Sequence, residues 1–194
     1  MDNVKMKHQP DIHYWQTFIQ GDRDALGWLF RQYYPDLFRY GFKICQDPAM
    51  LEDCIQELFI ELWQSKNPPP TISVKAYLLK AMKYKLLKLL RKKGNTQLQS
   101  DLLENSVFEI SHEDFVIGKQ ESEEKRMKLV QALNQLTSRQ KEIVYLKFYQ
   151  NLGYEEISEI MNINYQAARN LLYQAVKAMK KILIRHYSLL AFLL

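Results

Sequence analysis

The sequence is poor in residues that break helices and in cysteine. Its 194 residues include 6 Gly, 6 Pro and 2 Cys. Few runs alternate with period two, so a sheet has little support and an all-α fold is predicted. Cys45 and Cys54 have no CxxC pattern and no His at ligand spacing. This excludes a cysteine metal centre and favours core thiols in a reducing cytoplasm, so neither a metal ion nor another cofactor is expected.

Catalytic motifs and long apolar runs are also missing. The sequence has no glycine-rich phosphate loop, no HExxH and no Ser or Cys nucleophile with a plausible His partner. An enzyme is therefore not expected. No apolar core follows the N-terminal lysines, and the apolar run at 189–194 is too short to span a bilayer. Neither a signal peptide nor membrane insertion is predicted, and the run is expected to pack on the last helix or on a partner.

Acidic residues are absent from two long stretches. Residues 66–100 carry nine bases and no acid, and no acid follows Glu159. Such one-sided charge is typical of a surface that binds a polyanion, because the counterions released on binding favour the complex. Residues 100–124 are the reverse, with eight acids and Lys119 as the only base. This polar and weakly periodic stretch predicts a flexible acidic linker.

These changes in composition divide the chain into two small helical domains. The predicted segments are an N-terminal arm over 1–12, a domain over 13–95, a linker over 96–124, a domain over 125–186 and an apolar tail over 187–194. In the first domain the apolar period predicts helices over Tyr14–Gln20, Ala25–Cys45 with an interruption near Pro35, Ala49–Gln64 and Val74–Lys93.

Leu152 to Lys181 has the pattern of a helix-turn-helix. Each half carries one apolar stripe at helical spacing, and Asn162-Ile163-Asn164 separates the halves. Asn164 suits the N-cap of the second helix, because its side chain can accept a bond from a free backbone amide. The second helix carries positive charge only. DNA binding is favoured, although plain helical bundles contain the same geometry.

Two neighbouring helices of the first domain differ in charge. Asp53, Gln56 and Glu57 share one face of the third predicted helix with Ile60, away from its apolar face. The fourth is basic, with Tyr77 and Tyr84 seven residues apart, so two rings can share a face with several ammonium groups. Cations that follow phosphates and rings that stack on bases suit single-stranded or melted nucleic acid.

These segments resemble a known family. LEDCIQELFIELWQ (Leu51–Gln64) followed by VKAYLLKAMKYKLLKLLRKK (Val74–Lys93) is similar to region two of bacterial sigma factors of the extracytoplasmic-function group. Leu136–Ile182 is similar to region four of the same group. Both regions occur in the family's order, without a third region between them. The sequence also resembles the iron-transport-regulator subgroup of this family.

The resemblance implies a role for each surface. Asp53, Gln56, Glu57 and Ile60 would bind core RNA polymerase at the clamp helices of its largest subunit. Melted DNA of the minus-ten element would be held by a loop and the basic helix, through Lys66, Asn67, Lys75, Tyr77, Lys80, Lys83, Tyr84 and Lys85. Duplex DNA of the minus-thirty-five element would be read by the recognition helix, through Tyr165, Gln166, Arg169, Asn170, Tyr173 and Lys177.

The resemblance also implies further partners and a mode of action. The second domain would dock on the flap of the second polymerase subunit, and a membrane-associated anti-sigma protein would regulate the chain. The protein would act in the cytoplasm, where it directs polymerase to promoter DNA and assists melting.

Two other classes fit parts of the sequence. A conventional helix-turn-helix regulator would use residues 13–93 to sense a signal, and an adaptor would only bind polymerase or a membrane regulator. The basic helix and the residues Asp53, Gln56 and Glu57 separate these classes, because a sensing domain has no need of either.

Overall fold

The fold comprises two compact helical units. The structure, a computed structural model, describes residues 9–65, 71, 73–93, 108–110 and 123–193. The boundary between the units lies between Leu102 and Leu103. All regular secondary structure in these described residues is helical, which confirms the predicted all-α, two-domain fold.

The first unit contains α1 (Gln9–Ile19), α2 (Arg23–Ile44), α3 (Pro48–Gln64) and α4 (Val74–Lys93). α2 contacts each of the other three helices. Their facing sides form a core whose largest side chains have almost no exposed surface, among them Leu29, Leu37, Tyr40, Leu51, Ile55, Leu78, Met82 and Leu86. The apolar period of the sequence builds this core, and the polar faces of α3 and α4 are left outside it.

The starts of α3 and α4 are fixed by local hydrogen bonds. The Asp47 carboxylate accepts a bond from the Met50 amide at 3.1 Å, and Pro48 occupies the first turn, where no donor is needed. The Ser73 hydroxyl accepts from the Ala76 amide at 3.2 Å. Each cap of this kind contributes about 1 kcal/mol. Both helices therefore begin within one residue of the prediction.

The interruption predicted near Pro35 is wrong, because α2 runs through this residue. A proline inside a helix costs about 3 kcal/mol, since it lacks an amide proton and crowds the preceding turn. Tyr33, Leu37 and Tyr40 on either side of Pro35 are buried. Each buried side chain of this size contributes about 1.5–3 kcal/mol, so together they outweigh the cost.

Helical structure also begins inside the predicted N-terminal arm. α1 starts at Gln9 and ends at Ile19, whereas the sequence predicts a helix over Tyr14–Gln20. Trp15 and Phe18 are buried. The ring of Tyr14 stacks on that of Trp28 in α2, with centroids 4.0 Å apart. These aromatic contacts hold α1 against α2.

The second unit contains α5 (Glu123–Asn134), α6 (Ser138–Val144), a π-helical turn (Tyr145–Tyr149), α7 (Tyr154–Met161) and α8 (Tyr165–Leu193). Thr137 and Gln140 form a reciprocal capping box at the start of α6, with bonds of 3.1 and 3.3 Å. The Gln150 amide donates to the Tyr145 carbonyl, five residues back, at 3.1 Å. A bond that spans five residues is the pattern of a π-helical turn.

Part of the predicted acidic linker belongs to the second unit. Phe108 and Ile110 are 2% and 3% exposed. The Phe108 ring lies edge-on to the Tyr145 ring, with centroids 5.6 Å apart. α5 also begins at Glu123, two residues before the predicted start of the second domain. The apolar side chains at 108 and 110 give this otherwise polar stretch a place in a core.

Residues 187–193 of the predicted apolar tail over 187–194 are a continuation of α8, and Leu194 lies outside the described residues. That helix runs without a break to Leu193, so the predicted domain end at 186 falls inside it. Leu and Ala residues favour helix continuation, and no Gly or Pro stops it. Within the described residues, no helix has the length and apolar character needed to cross a membrane.

The cysteine thiols offer a test of the first core. Cys45 and Cys54 are buried and free, which confirms the predicted core thiols. Burial raises the pKa of Cys54 from 9.0 to about 11. At pH 8 its thiolate fraction should be about 100-fold lower than that of an exposed thiol. We expect a thiol reagent to label Cys54 only after unfolding, as followed by mass spectrometry; rapid labelling of the native protein would contradict this packing.

Candidate polymerase and nucleic-acid interfaces

The outward face of α3 carries the four residues predicted to bind polymerase. Asp53, Gln56, Glu57 and Ile60 are all exposed, and Ile60 keeps 54% of its surface. The opposite face of the helix is buried. A rigid helix with exposed acids and an exposed aliphatic side chain can bind a basic, amphipathic partner.

An apolar groove lies beside this face, between α2 and α3. It has a volume of about 590 Å³, and its lining is mostly apolar: Arg23, Leu26, Gly27, Phe30, Gln56, Phe59, Ile60 and Trp63. The rings of Phe30 and Phe59 meet edge to face with centroids 5.1 Å apart. Trp63 is 46% exposed. Gln56 and Ile60 therefore belong both to the polar face and to the groove.

Two lysines of α4 are engaged in ion pairs with the neighbouring helices. Lys75 Nζ lies 2.8 Å from a carboxylate oxygen of Asp36 in α2. Lys85 Nζ lies 2.9 Å from Glu57 and 2.7 Å from Glu61, both in α3. Burial lowers the pKa of Lys85, but hydrogen bonds and charge from Glu61 and Glu57 outweigh burial and raise it. Lys85 is therefore a fixed cation between two acids.

The other predicted minus-ten residues differ in accessibility. Tyr77 is half-buried, its ring lies edge-on to Trp15 with centroids 5.2 Å apart, and burial raises its pKa. Lys83 is buried, whereas Tyr84 is exposed. Lys80 is partly exposed. Lys66 and Asn67 lie outside the described residues.

The second unit contains the predicted helix-turn-helix. α7 ends at Met161, its C-cap Asn162 has a left-handed φ of 52°, and α8 begins at Tyr165. The Asn164 carbonyl oxygen Oδ1 accepts from the Ala167 amide at 2.7 Å, so Asn164 is the N-cap that the sequence predicts. Ile157 and Ile160 of α7 and Ala168 of α8 are buried, and the two helices contact each other. The geometry of the turn leaves the start of α8 exposed.

The predicted reading residues lie on that exposed start. Tyr165, Gln166, Arg169, Asn170 and Tyr173 are exposed, and Lys177 is exposed further along. Gln166 Nε2 donates to Asn170 Oδ1 at 3.2 Å, which orients two amides that can pair with base edges.

A chain of aromatic and cationic contacts holds Tyr165. Its ring lies edge-on to Tyr154 at the start of α7, with centroids 5.6 Å apart. Lys147 Nζ lies 4.9 Å from the Tyr154 ring centroid and donates to the Leu152 carbonyl at 3.0 Å. Lys147 belongs to the π-helical turn. That turn therefore braces the first residue of the recognition helix.

Both units match known protein families. Residues 29–96 match Sigma-70 region 2, and residues 126–179 match Sigma-70, region 4. The chain is 24% identical over 154 residues to the ECF RNA polymerase sigma factor SigM of Bacillus subtilis (strain 168), with 79% of this chain and 92% of SigM covered. The chain is a sigma factor of the extracytoplasmic-function group. It directs RNA polymerase to promoters, and it is an initiation factor rather than an enzyme.

Two solved structures share the fold of this sigma factor. The structure of CnrH in complex with the cytosolic domain of CnrY has a TM-score of 0.60 and 14% identity, covering 90% of this chain and 97% of that chain. The sigma factor RpoE in complex with the anti-sigma factor NepR from Bartonella quintana has a TM-score of 0.52 and 19% identity, covering 77% and 90%.

Several residues of the sigma factor's surfaces are missing from the sequence prediction. Phe59 and Trp63 line the groove on α2 and α3, and Lys147 and Tyr154 brace the recognition helix. Trp63 follows Ile60 by three residues, a spacing that places both on one face of a helix and could have indicated this apolar surface from the sequence. The contacts of Lys147 depend on the π-helical turn, which no local pattern indicates. Among the described residues, no cluster of three metal-ligating side chains occurs.

Proposed function

We propose that the sigma factor uses three separate surfaces in initiation. The α3 face with Asp53, Gln56, Glu57 and Ile60 binds the clamp helices of the largest polymerase subunit. α4 and the loop before it hold the melted strand of the minus-ten element. The recognition helix α8 reads the minus-thirty-five duplex, and the second unit docks on the flap of the second polymerase subunit.

One observation carries this proposal. Two packed helices of the same unit expose opposite chemistry, since α3 presents acids beside an apolar groove and α4 carries no acid. A partner helix with basic and apolar residues fits the first surface. Phosphates and unstacked bases fit the second, where Lys80 and Tyr84 are accessible.

The recognition helix supports the assignment of the duplex element. Its first turns enter a major groove most readily, so Gln166, Arg169 and Asn170 face base edges, and Tyr173 and Lys177 face phosphates. Amide groups pair with adenine and guanidinium with guanine. Tyr165 contacts the groove edge in the orientation set by Tyr154.

An anti-sigma protein that is associated with the membrane is a further proposed partner. The RpoE relative was solved with the anti-sigma factor NepR, which supports a partner of that class for this chain. The sigma factor would act in the cytoplasm, where promoter DNA lies. Its place in the iron-transport-regulator subgroup stays a prediction.

The polymerase surface is tested by reversing one charge. Asp53→Lys is expected to weaken binding to core polymerase by about 10- to 100-fold, because the new lysine would repel a basic partner surface. Asp53 is a sharper choice than Glu57, because Glu57 also binds Lys85 within the protein. Binding is measured by titration of labelled sigma factor with core polymerase, and function by promoter-dependent transcription.

Glu52→Lys is the matched control for that experiment. Glu52 is the exposed neighbour of Asp53 on the same helix, and its replacement changes the net charge equally. It should bind core polymerase within about threefold of the wild type. Equal loss in both variants would indicate a general charge effect, and no loss in Asp53→Lys would reject the proposed surface.

A further inference from the structure

Six of the cations of α4 fall into two groups that the sequence does not separate. Lys75 and Lys85 make ion pairs with α2 and α3, and Lys83 is buried. Tyr84, Lys88 and Arg91 are instead exposed, and Lys80 is partly exposed. Within the described part of the chain, none of the three cations in this second group makes an ion pair.

Lys85 is poorly placed to bind a phosphate. Its side chain is 14% exposed, whereas those of Glu57 and Glu61 are 59% and 64% exposed. An anion that approaches Lys85 therefore meets two carboxylates first. A cation that approaches the same place meets the carboxylates and finds them oriented.

Lys85 instead serves the acidic face of α3. Glu57 and Glu61 are one helical turn apart, and like charges at that spacing repel each other. Lys85 binds both, so it relieves the repulsion and fixes their rotamers. Side chains that are already ordered lose less conformational entropy when a partner binds.

The second group forms a continuous stripe along α4. At about 100° per residue, Lys80, Tyr84, Lys88 and Arg91 lie within about 80° of arc. They span about 16 Å along the helix axis, which covers several phosphates at about 3.4 Å per nucleotide. Tyr84 lies within the stripe, where its exposed ring can stack on a base.

We propose that Lys85 is a positioning residue of the polymerase-binding face, and that DNA follows the stripe Lys80, Tyr84, Lys88 and Arg91. Lys88 and Arg91 thereby join the DNA-binding surface, although the resemblance assigns them no role. The inference rests on the proposed function, since it divides one helix between polymerase and promoter.

The DNA side is tested by the salt dependence of holoenzyme binding to a promoter fork with a single-stranded minus-ten segment. Each lost phosphate contact reduces the slope of log K against log salt by about 0.7–0.9. The double variant Lys88→Gln/Arg91→Gln should reduce the slope by about 1.4 or more and bind core polymerase within twofold of the wild type. Lys85→Met should leave the slope unchanged.

The polymerase side is tested by a double-mutant cycle on core affinity. Lys85→Met should lower the affinity for core polymerase about threefold or more, and Lys85→Arg should restore it. In a Glu57→Gln/Glu61→Gln background, the same Lys85→Met change should have no further effect, because Lys85 acts through these carboxylates. A residue that only stabilised the fold would leave the core affinity of the folded protein unchanged.

Acetylation of lysines in wild-type holoenzyme gives a test that needs no variant. Promoter DNA should protect Lys80 and Lys88 several-fold and leave Lys85 unchanged. Protection of Lys85 by DNA, or a slope lowered by about 0.7 in Lys85→Met, would overturn the inference. Wild-type protein that supports no promoter-dependent transcription would overturn the proposed function itself, and the inference with it.

Discussion

Replacing Phe108 with alanine is expected to lower the free energy of unfolding of the second unit by about 3–5 kcal/mol. This is the usual cost of removing a buried phenylalanine side chain and leaving a cavity. Phe108 is 2% exposed, and its ring lies edge-on to Tyr145, which stacks on Tyr149 with centroids 5.1 Å apart. The substitution removes the aromatic side chain that connects residues 108–110 to this cluster.

The two units can be followed separately in one urea titration. Trp15, Trp28 and Trp63 are the three tryptophans of the chain and all precede residue 102. Tryptophan fluorescence therefore reports the first unit, and far-ultraviolet circular dichroism reports both. Phe108→Ala should shift part of the dichroism transition to lower urea and leave the fluorescence transition in place.

Phe148→Ala is the matched control, because Phe148 belongs to the same unit and is 57% exposed. Its replacement should change the free energy of unfolding by about 0.5 kcal/mol or less. If the two alanine variants were equally stable, residues 108–110 would not be docked in the second unit.

Replacing Gly41 with leucine is expected to destabilise the first unit by about 3 kcal/mol. Gly41 lies inside α2 and is buried. A Cβ atom there would lie 2.7 Å from Leu51 Cδ2 and 3.0 Å from Met82 Cε. Three helices meet at this residue, so a larger side chain forces α3 and α4 away from α2. The loss of stability is measured by tryptophan fluorescence during urea unfolding.

Gly27→Ala provides the control in the same helix. The nearest atom to a Cβ at Gly27 is Arg31 Nη1 at 3.5 Å, an ordinary contact. Alanine is a better helix former than glycine, so this variant should gain about 0.5–1 kcal/mol of stability. Destabilisation by both variants would place the cause in glycine's backbone rather than in the close approach at Gly41.

Local signals in the sequence are enough to predict several elements of this sigma factor. α4 has the predicted bounds Val74–Lys93, because its apolar period starts after a proline-rich stretch and runs without a breaker. Asn164 caps α8 as predicted. The acidic face of α3 is exposed because the opposite face carries the apolar residues of the core.

Other features depend on contacts between distant residues. The side chains of Lys75 and Lys85 look like the other cations of α4 in the sequence, and only tertiary packing brings Asp36 and Glu61 to them. Phe108 lies in a stretch without helical period, so its burial has no local signal. Pro35 stays helical because buried neighbours outweigh a local preference.

α8 is long, so its proposed reading residues lie at one end of a rigid lever. Its 29 residues extend about 43 Å, and the proposed reading residues, Tyr165 to Lys177, occupy the N-terminal part. A tilt of about 10° about the reading end would displace the far end by about 7 Å, or about two base-pair steps. A protein that binds the last turns of α8 could therefore change the angle at which the first turns meet the bases with a comparatively small force.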